Sequence, residues 1–117
     1  MFEFGTIVLV PFPFTDLTSA KVRPALIVSR TSADSADLML SFITSQVSSK
    51  ENGAVFTLKS SDKGFEGTGL KVDSSFRFDK IATLSKDLIL GELGCVGKET
   101  LRRMRSSFTQ AFGFTEA

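Results

Sequence analysis

The chain has 117 residues, 42% of them hydrophobic and 23% charged, with fourteen basic and thirteen acidic side chains that leave a formal net charge of +1. That length buries a real core without metal or disulfide staples, and the composition is that of one soluble globular domain, residues 1–117, rather than a disordered segment. The near-zero charge excludes nucleic-acid binding by bulk electrostatics alone, and the absence of histidine and tryptophan excludes histidine–zinc sites, Ser-His-Asp triads and paired-histidine acid–base chemistry.

The predicted elements begin with TIVLVPF (6–12), a β-branched run that reads as a strand entering a rigid loop at PFPF. FTDLTSAK (14–21) is a polar loop that delivers the chain to VRPALIVS (22–29), where PALIVS (24–29) reads as a buried strand. Arg23 at its mouth is placed directly before Pro24, which disfavours helical backbone for its predecessor and so holds Arg23 extended. That arrangement aims a charge rather than merely solubilising a strand end. DLMLSFITSQ (37–46) is a further strand, VSSKENG (47–53) a turn and AVFTLK (54–59) a short strand. SSDKGFEGTG (60–69) is a Gly-rich loop and, with the first loop, the expected mobile element.

SSFRFDKIATL (74–84) opens in period-two alternation, with Phe76 and Phe78 on one face and Arg77 and Asp79 on the other. LILGEL (88–93) reads as a short last strand. Leu101, Met104, Phe108, Ala111 and Phe112 then recur at helical spacing up to Gly113, which marks one amphipathic C-terminal helix. Its segment KETLRRMR (98–105) is basic, as solvated helix faces often are. The sum is a mainly β chain, a small, strongly bent antiparallel barrel with a C-terminal α-helix. Cys95 is the single cysteine, which rules out an internal disulfide and suits a reducing cytosol. The N-terminus lacks a basic n-region, its apolar run is broken by Glu3 and Pro11, and no run is long enough to span a membrane, so a cytoplasmic location is expected.

Several segments, in order, resemble the MazF/PemK/Kid family of type II toxin–antitoxin toxins. They are GTIVLVPFPFTD (5–16), KVRPALIVS (21–29), FITSQ (42–46), GLKVDS (69–74), FRFD (76–79) and IATL (81–84), and the resemblance runs from about Gly5 to Gly113. It implies an SH3-like barrel of the CcdB/MazF type, usually a homodimer. It also implies a sequence-specific endoribonuclease that cuts single-stranded RNA without metal or other cofactor, through 2′-OH attack. A cognate antitoxin protein would inhibit it by threading an acidic, extended segment along the RNA groove.

The resemblance places the family's catalytic arginine at Arg23, its active-site threonine at Thr44, and the Arg-x-Asp pair of the Kid branch at Arg77 and Asp79. Lys21, Pro24, Ser45 and Gln46 are the expected RNA contacts. On residue type alone, Thr44 is an ordinary β-former at a strand end, and Arg77–Asp79 an ordinary surface ion pair of at most about 1 kcal/mol. Phe12 and Phe14 suit base stacking, although packing is the better reading in a chain with twelve phenylalanines. The family's first-loop histidine or glutamate has only Asp16 as a counterpart here, so the general base stays open, with Asp79 the candidate the resemblance supplies. The competing readings are a catalytically inactive interaction domain and a gyrase-directed toxin of the CcdB kind. The latter depends on a C-terminal tryptophan that this chain lacks.

Overall fold

The computed structural model describes residues 3–11, 21–30, 36–47 and 53–114. The apolar runs form six strands: β1 (Thr6–Pro11), β2 (Val22–Ile27), β3 (Asp37–Thr44), β4 (Val55–Leu58), β5 (Ser74–Ser85) and β6 (Gly91–Cys95). They make one antiparallel sheet in the order β4-β5-β3-β2-β1-β6, curled into a half-barrel and followed by a single helix, α1 (Lys98–Ala111). The predicted mainly β barrel with a C-terminal helix is therefore what forms, with β4 and β6 as its edges. No helix among the described residues is long and apolar enough to cross a membrane.

The sheet is apolar on both faces, and the register says which side chain goes where, because residues directly opposite on neighbouring strands share a face. On one face Ile7, Leu26, Ile43 and Phe76 are buried with Met104 of α1. Phe108 of the helix meets Phe78 edge-on, with ring centroids 5.3 Å apart. The opposite face is built on the row Val8–Ala25–Phe42, joined by Val10, Ile27, Leu38 and Leu40. Phe42 and Phe76 are the largest fully buried side chains, and truncating either to alanine costs about 3–5 kcal/mol. Arg23 and Thr44 continue the second face past the end of its apolar core. Two further steps along the Ala25↔Phe42 register bring these two residues level.

β5 is interrupted. Ser41 pairs with Ile81 but the next residue, Phe42, pairs with Arg77, so Phe78, Asp79 and Lys80 are looped out of the ladder as a wide bulge. The buried Ser41 hydroxyl donates to the Arg77 carbonyl at 2.8 Å, and the Phe78 amide donates to the Ala54 carbonyl at 3.0 Å. Both bonds fix backbone groups that the bulge removes from the β3–β5 pairing.

Three boundaries differ from the sequence reading. β2 begins at Val22 and contains Pro24, which is tolerated because pairing with β3 starts only at Ala25. The apolar run at 88–93 splits into a 3-10 turn over Lys86–Leu88 and β6, leaving Leu88 and Leu90 exposed. The Gly-rich loop is well anchored: Phe65 and Thr68 are buried, and the Asp62 and Asp73 carboxylates accept the Lys59 and Ser60 amides at 2.8 and 2.6 Å. Gly94 is required beneath this loop, since a Cβ there would run into the Gly67 and Thr68 backbone. The helix stops as predicted. Gly113, at φ +77°, donates to the Gln110 carbonyl while Phe114 donates to that of Thr109, the paired bonds of a Schellman end.

Candidate active site

The start of β2, the end of β3 and the bulge of β5 meet around one polar cleft of about 270 Å³ on the sheet face opposite α1. Arg23, Thr44, Ser45, Gln46, Arg77 and Lys80 line it, above the Phe42 ring. Each arrives for a local reason. Arg23 is the second residue of β2 and lies on the face shared with Ala25, half-buried, with the restricted Pro24 following it. Thr44 is the last residue of β3, and its hydroxyl oxygen accepts the Gln46 amide at 3.1 Å. That turn leaves the threonine O–H proton available for an acceptor in the cleft. Arg77 is level with Phe42, on the last rung before the bulge.

Asp79, inside the bulge, folds back onto Arg77. The guanidinium Nε and Nη2 donate to the two carboxylate oxygens at 2.8 and 2.7 Å, a planar two-point bond. The side chains are 32% and 31% exposed. The hydrogen bonds from Arg77 hold the Asp79 carboxyl below the usual carboxylate range, against a small opposing effect of burial, and the same bonds raise the Arg77 guanidinium. Asp79 is thus ionised at neutral pH, and both of its oxygens are already engaged.

Of the expected site residues, Arg23, Thr44, Ser45, Gln46 and Arg77 converge, with Asp79 attached through Arg77. Pro24 is half-buried opposite Leu9 and does not line the cleft, and Lys21 is exposed one residue before β2. Asp16, Phe12 and Phe14 lie outside the described residues. Lys80 lines the cleft and was not anticipated. Strict alternation from Phe76 and Phe78 would have put it behind the sheet; the break in phase at Lys80–Ile81, a charge where an apolar residue is due and the reverse, is the sequence sign of the bulge that changes its side.

Residues 3–112 match the model of the PemK-like, MazF-like toxins of type II toxin–antitoxin systems. The chain belongs to this family. The fold agrees: an endoribonuclease from a mycobacterial species, solved in complex with its cognate antitoxin, superposes with a TM-score of 0.74 at 22% identity, over 100% of both chains. Mycobacterium tuberculosis toxin MazF-mt6 gives 0.74 at 16% identity, covering 95% of this chain and 99% of the other. MazF from Deinococcus radiodurans gives 0.68 at 19%, covering 95% and 96%. No curated protein matches the chain. The arginine, threonine and Arg-x-Asp positions that the MazF-like resemblance picked out lie far apart in sequence and sit at one cleft of this toxin-family fold.

Proposed function

We propose that this MazF-like chain is the toxin of a type II pair and cleaves single-stranded RNA at short sequences, with the cleft as its active centre. The observation that carries the reading is the convergence of two guanidinium groups and a threonine hydroxyl, from three strands, on one polar concavity. The reaction is attack of a ribose 2′-OH on the adjacent phosphorus. It needs a base at the 2′-OH, charge stabilisation on the non-bridging oxygens and a proton for the departing 5′-oxygen. It leaves a 2′,3′-cyclic phosphate and a 5′-hydroxyl.

Arg23 and Arg77 meet the charge requirement. Guanidinium stays protonated and matches phosphate geometry with its fork of donors, and both groups bind the five-coordinate state better than the ground state. The Thr44 hydroxyl donates to a phosphate oxygen. Asp79 is the base. Phosphate entering beside Arg77 competes for its fork, and a carboxylate released from that fork recovers basicity towards its ordinary value. Arg23 and Arg77 supply the cationic charge that a metal ion supplies in other nucleases, so the reaction needs none. The protein acts in the cytoplasm as a homodimer, and the cognate antitoxin lays an acidic segment over the cationic cleft.

Incubation of purified protein with mixed-sequence RNA in EDTA, followed by end analysis, tests the chemistry. Undiminished cleavage with cyclic-phosphate and 5′-hydroxyl ends is expected. Loss in EDTA with restoration by magnesium would sink the metal-free mechanism.

A further inference from the structure

The bulge of β5 does something the two arginines do not account for. Three residues, Phe78, Asp79 and Lys80, are looped out where β3 advances by one, from Ser41 to Phe42. A shorter interruption would suffice to fold Asp79 onto Arg77, since those two are already neighbours on an unbroken strand face. The longer loop also brings Lys80 from the side of Phe76 and Phe78 round to the cleft. There it is exposed, no hydrogen bond or salt bridge among the described residues holds its ammonium, and its charge adds to that of Arg77 in favouring the ionised Asp79 carboxylate. Arg77, by contrast, has two of its donors committed to Asp79.

The bulge that carries Lys80 is held at its root. Ser41 is fully buried and its hydroxyl bonds the Arg77 carbonyl, while Phe78 is buried and its amide bonds Ala54. A flexible four-carbon stem on a fixed backbone suits a point charge that follows a mobile polyanion, and suits poorly the rigid two-point geometry of the reacting phosphate. A polynucleotide presents a row of phosphates, so a third cation beside two arginines meets one next to the phosphate that reacts.

We propose that Lys80 is an RNA-binding residue of this cleft, contacting a backbone phosphate adjacent to the one that reacts. The inference rests on the endoribonuclease reading and adds a substrate contact to it. A backbone contact contributes to affinity and to salt dependence, through release of counterions, and leaves the chemical step alone.

The test uses the full chain and a fluorescent oligoribonucleotide containing a site found by digesting mixed-sequence RNA. Cleavage is followed over a range of sodium chloride concentrations for wild type, Lys80→Ala and Lys80→Arg. For Lys80→Ala, KM is expected to rise about five- to tenfold with kcat within about twofold. The slope of log(kcat/KM) against log salt should become shallower by about 0.7, the increment for one phosphate contact on a single strand. Lys80→Arg should restore both, and melting temperatures should coincide, because an exposed lysine leaves the core intact. An unchanged KM and slope in Lys80→Ala would overturn the proposal, as would a fall in kcat at constant KM. If wild type cleaves no RNA, the nuclease reading fails first, and the same slopes are read from RNA binding by fluorescence anisotropy. Weaker, less salt-sensitive binding by Lys80→Ala then supports the contact. Equal binding, or none by wild type, overturns it.

Discussion

Two concavities of the molecule each gather three cations, from opposite sides of the sheet. Between α1 and the sheet a groove of about 340 Å³ has Lys98, Arg102 and Arg105 at its rim and Leu26, Phe78, Met104 and Phe108 in its floor. The cleft on the other face brings Arg23, Arg77 and Lys80 together with a threonine, a serine and a glutamine. The groove's cations come from little more than two turns of one helix and project outward. Arg102 is 76% exposed and bonds Glu99 one turn earlier at 3.1 Å, a pair worth a few tenths of a kcal/mol. An anion above that rim would face an apolar floor with nothing to replace its lost water. In the cleft the cations come from two strands, Arg23 from β2 and Arg77 and Lys80 from either end of the β5 bulge, and the Thr44, Ser45 and Gln46 side chains line the same concavity, so an anion there has neutral donors as well as charge within reach. The proposed phosphate site thus rests on convergence of charge with polar partners, which density of charge along the chain does not provide.

The largest effect that would break this comparison is expected at Arg23. Arg23→Ala should lower kcat for RNA cleavage about 10²–10³-fold, the scale of removing one preorganised donor to a developing oxyanion. Arg23→Lys should bind RNA nearly as well yet recover only part of that turnover, because it lacks the planar fork. Cleavage at the wild-type rate by Arg23→Ala would return this residue to the status of a solvated strand end.

Asp79→Asn comes next, with turnover expected to fall about 10²-fold, towards the low end for loss of a general base, and with RNA affinity unchanged or higher. The same variant has a stability signature. The Asp79 carboxyl is depressed by Arg77, so the pair stabilises the fold above the unfolded carboxylate pKa, about 3.9, and that contribution disappears as pH falls through the lower folded value. Thermal melts should therefore show the wild type slightly the more stable at pH 7, by no more than about 1 kcal/mol, with the two proteins converging as pH falls through the depressed Asp79 value. A gap that widens in acid would contradict the assignment.

The smallest effect sharpens the comparison from the other side. Arg102→Ala combined with Arg105→Ala removes as much charge as two cleft substitutions, yet kcat and KM should stay within about twofold of wild type. A large rise in KM at low salt would mean that the helix rim guides RNA after all.

How far the molecule could be anticipated follows from the range of each interaction. β1 and β3 were legible because their apolar runs are long, and α1 because its spacing and Gly113 are local signals. Arg23 was singled out by Pro24 together with the family resemblance, and its place at the cleft follows from a register that only the paired strands reveal. The bulge was not singled out. SSFRFDKIATL alternates cleanly only as far as Asp79 and reverses phase at Lys80–Ile81, but the length of the interruption depends on contacts distant in sequence, such as Ser41 bonding the Arg77 carbonyl. Lys80 was missed with it, because the sequence reading assigned faces only as far as Asp79. Leu88 and Leu90 misled in the other direction: apolar residue type suggested a strand where the chain makes a 3-10 turn. The Arg77–Asp79 contact needed only strand parity, yet its two-point geometry and its effect on the carboxyl needed coordinates.

That two-point bond makes the free protein its own competitor. Asp79 offers Arg77 two oxygens at 2.8 and 2.7 Å without any entropy of association, so the Nε–Nη2 edge of the guanidinium is occupied before a ligand arrives, with three N–H donors left over. A phosphate that needs this edge of Arg77 binds only to the fraction of molecules whose fork stands open, and its apparent dissociation constant is the intrinsic one divided by that fraction. If RNA is the ligand, as proposed, a short or poorly matched strand cannot draw the arginine away. A longer strand, held at the same time by other groups along the cleft, spends part of its extra binding free energy on opening the pair. On the proposed reading, the internal carboxylate is a threshold that favours extended substrates over isolated phosphates, independently of any base-specific contact.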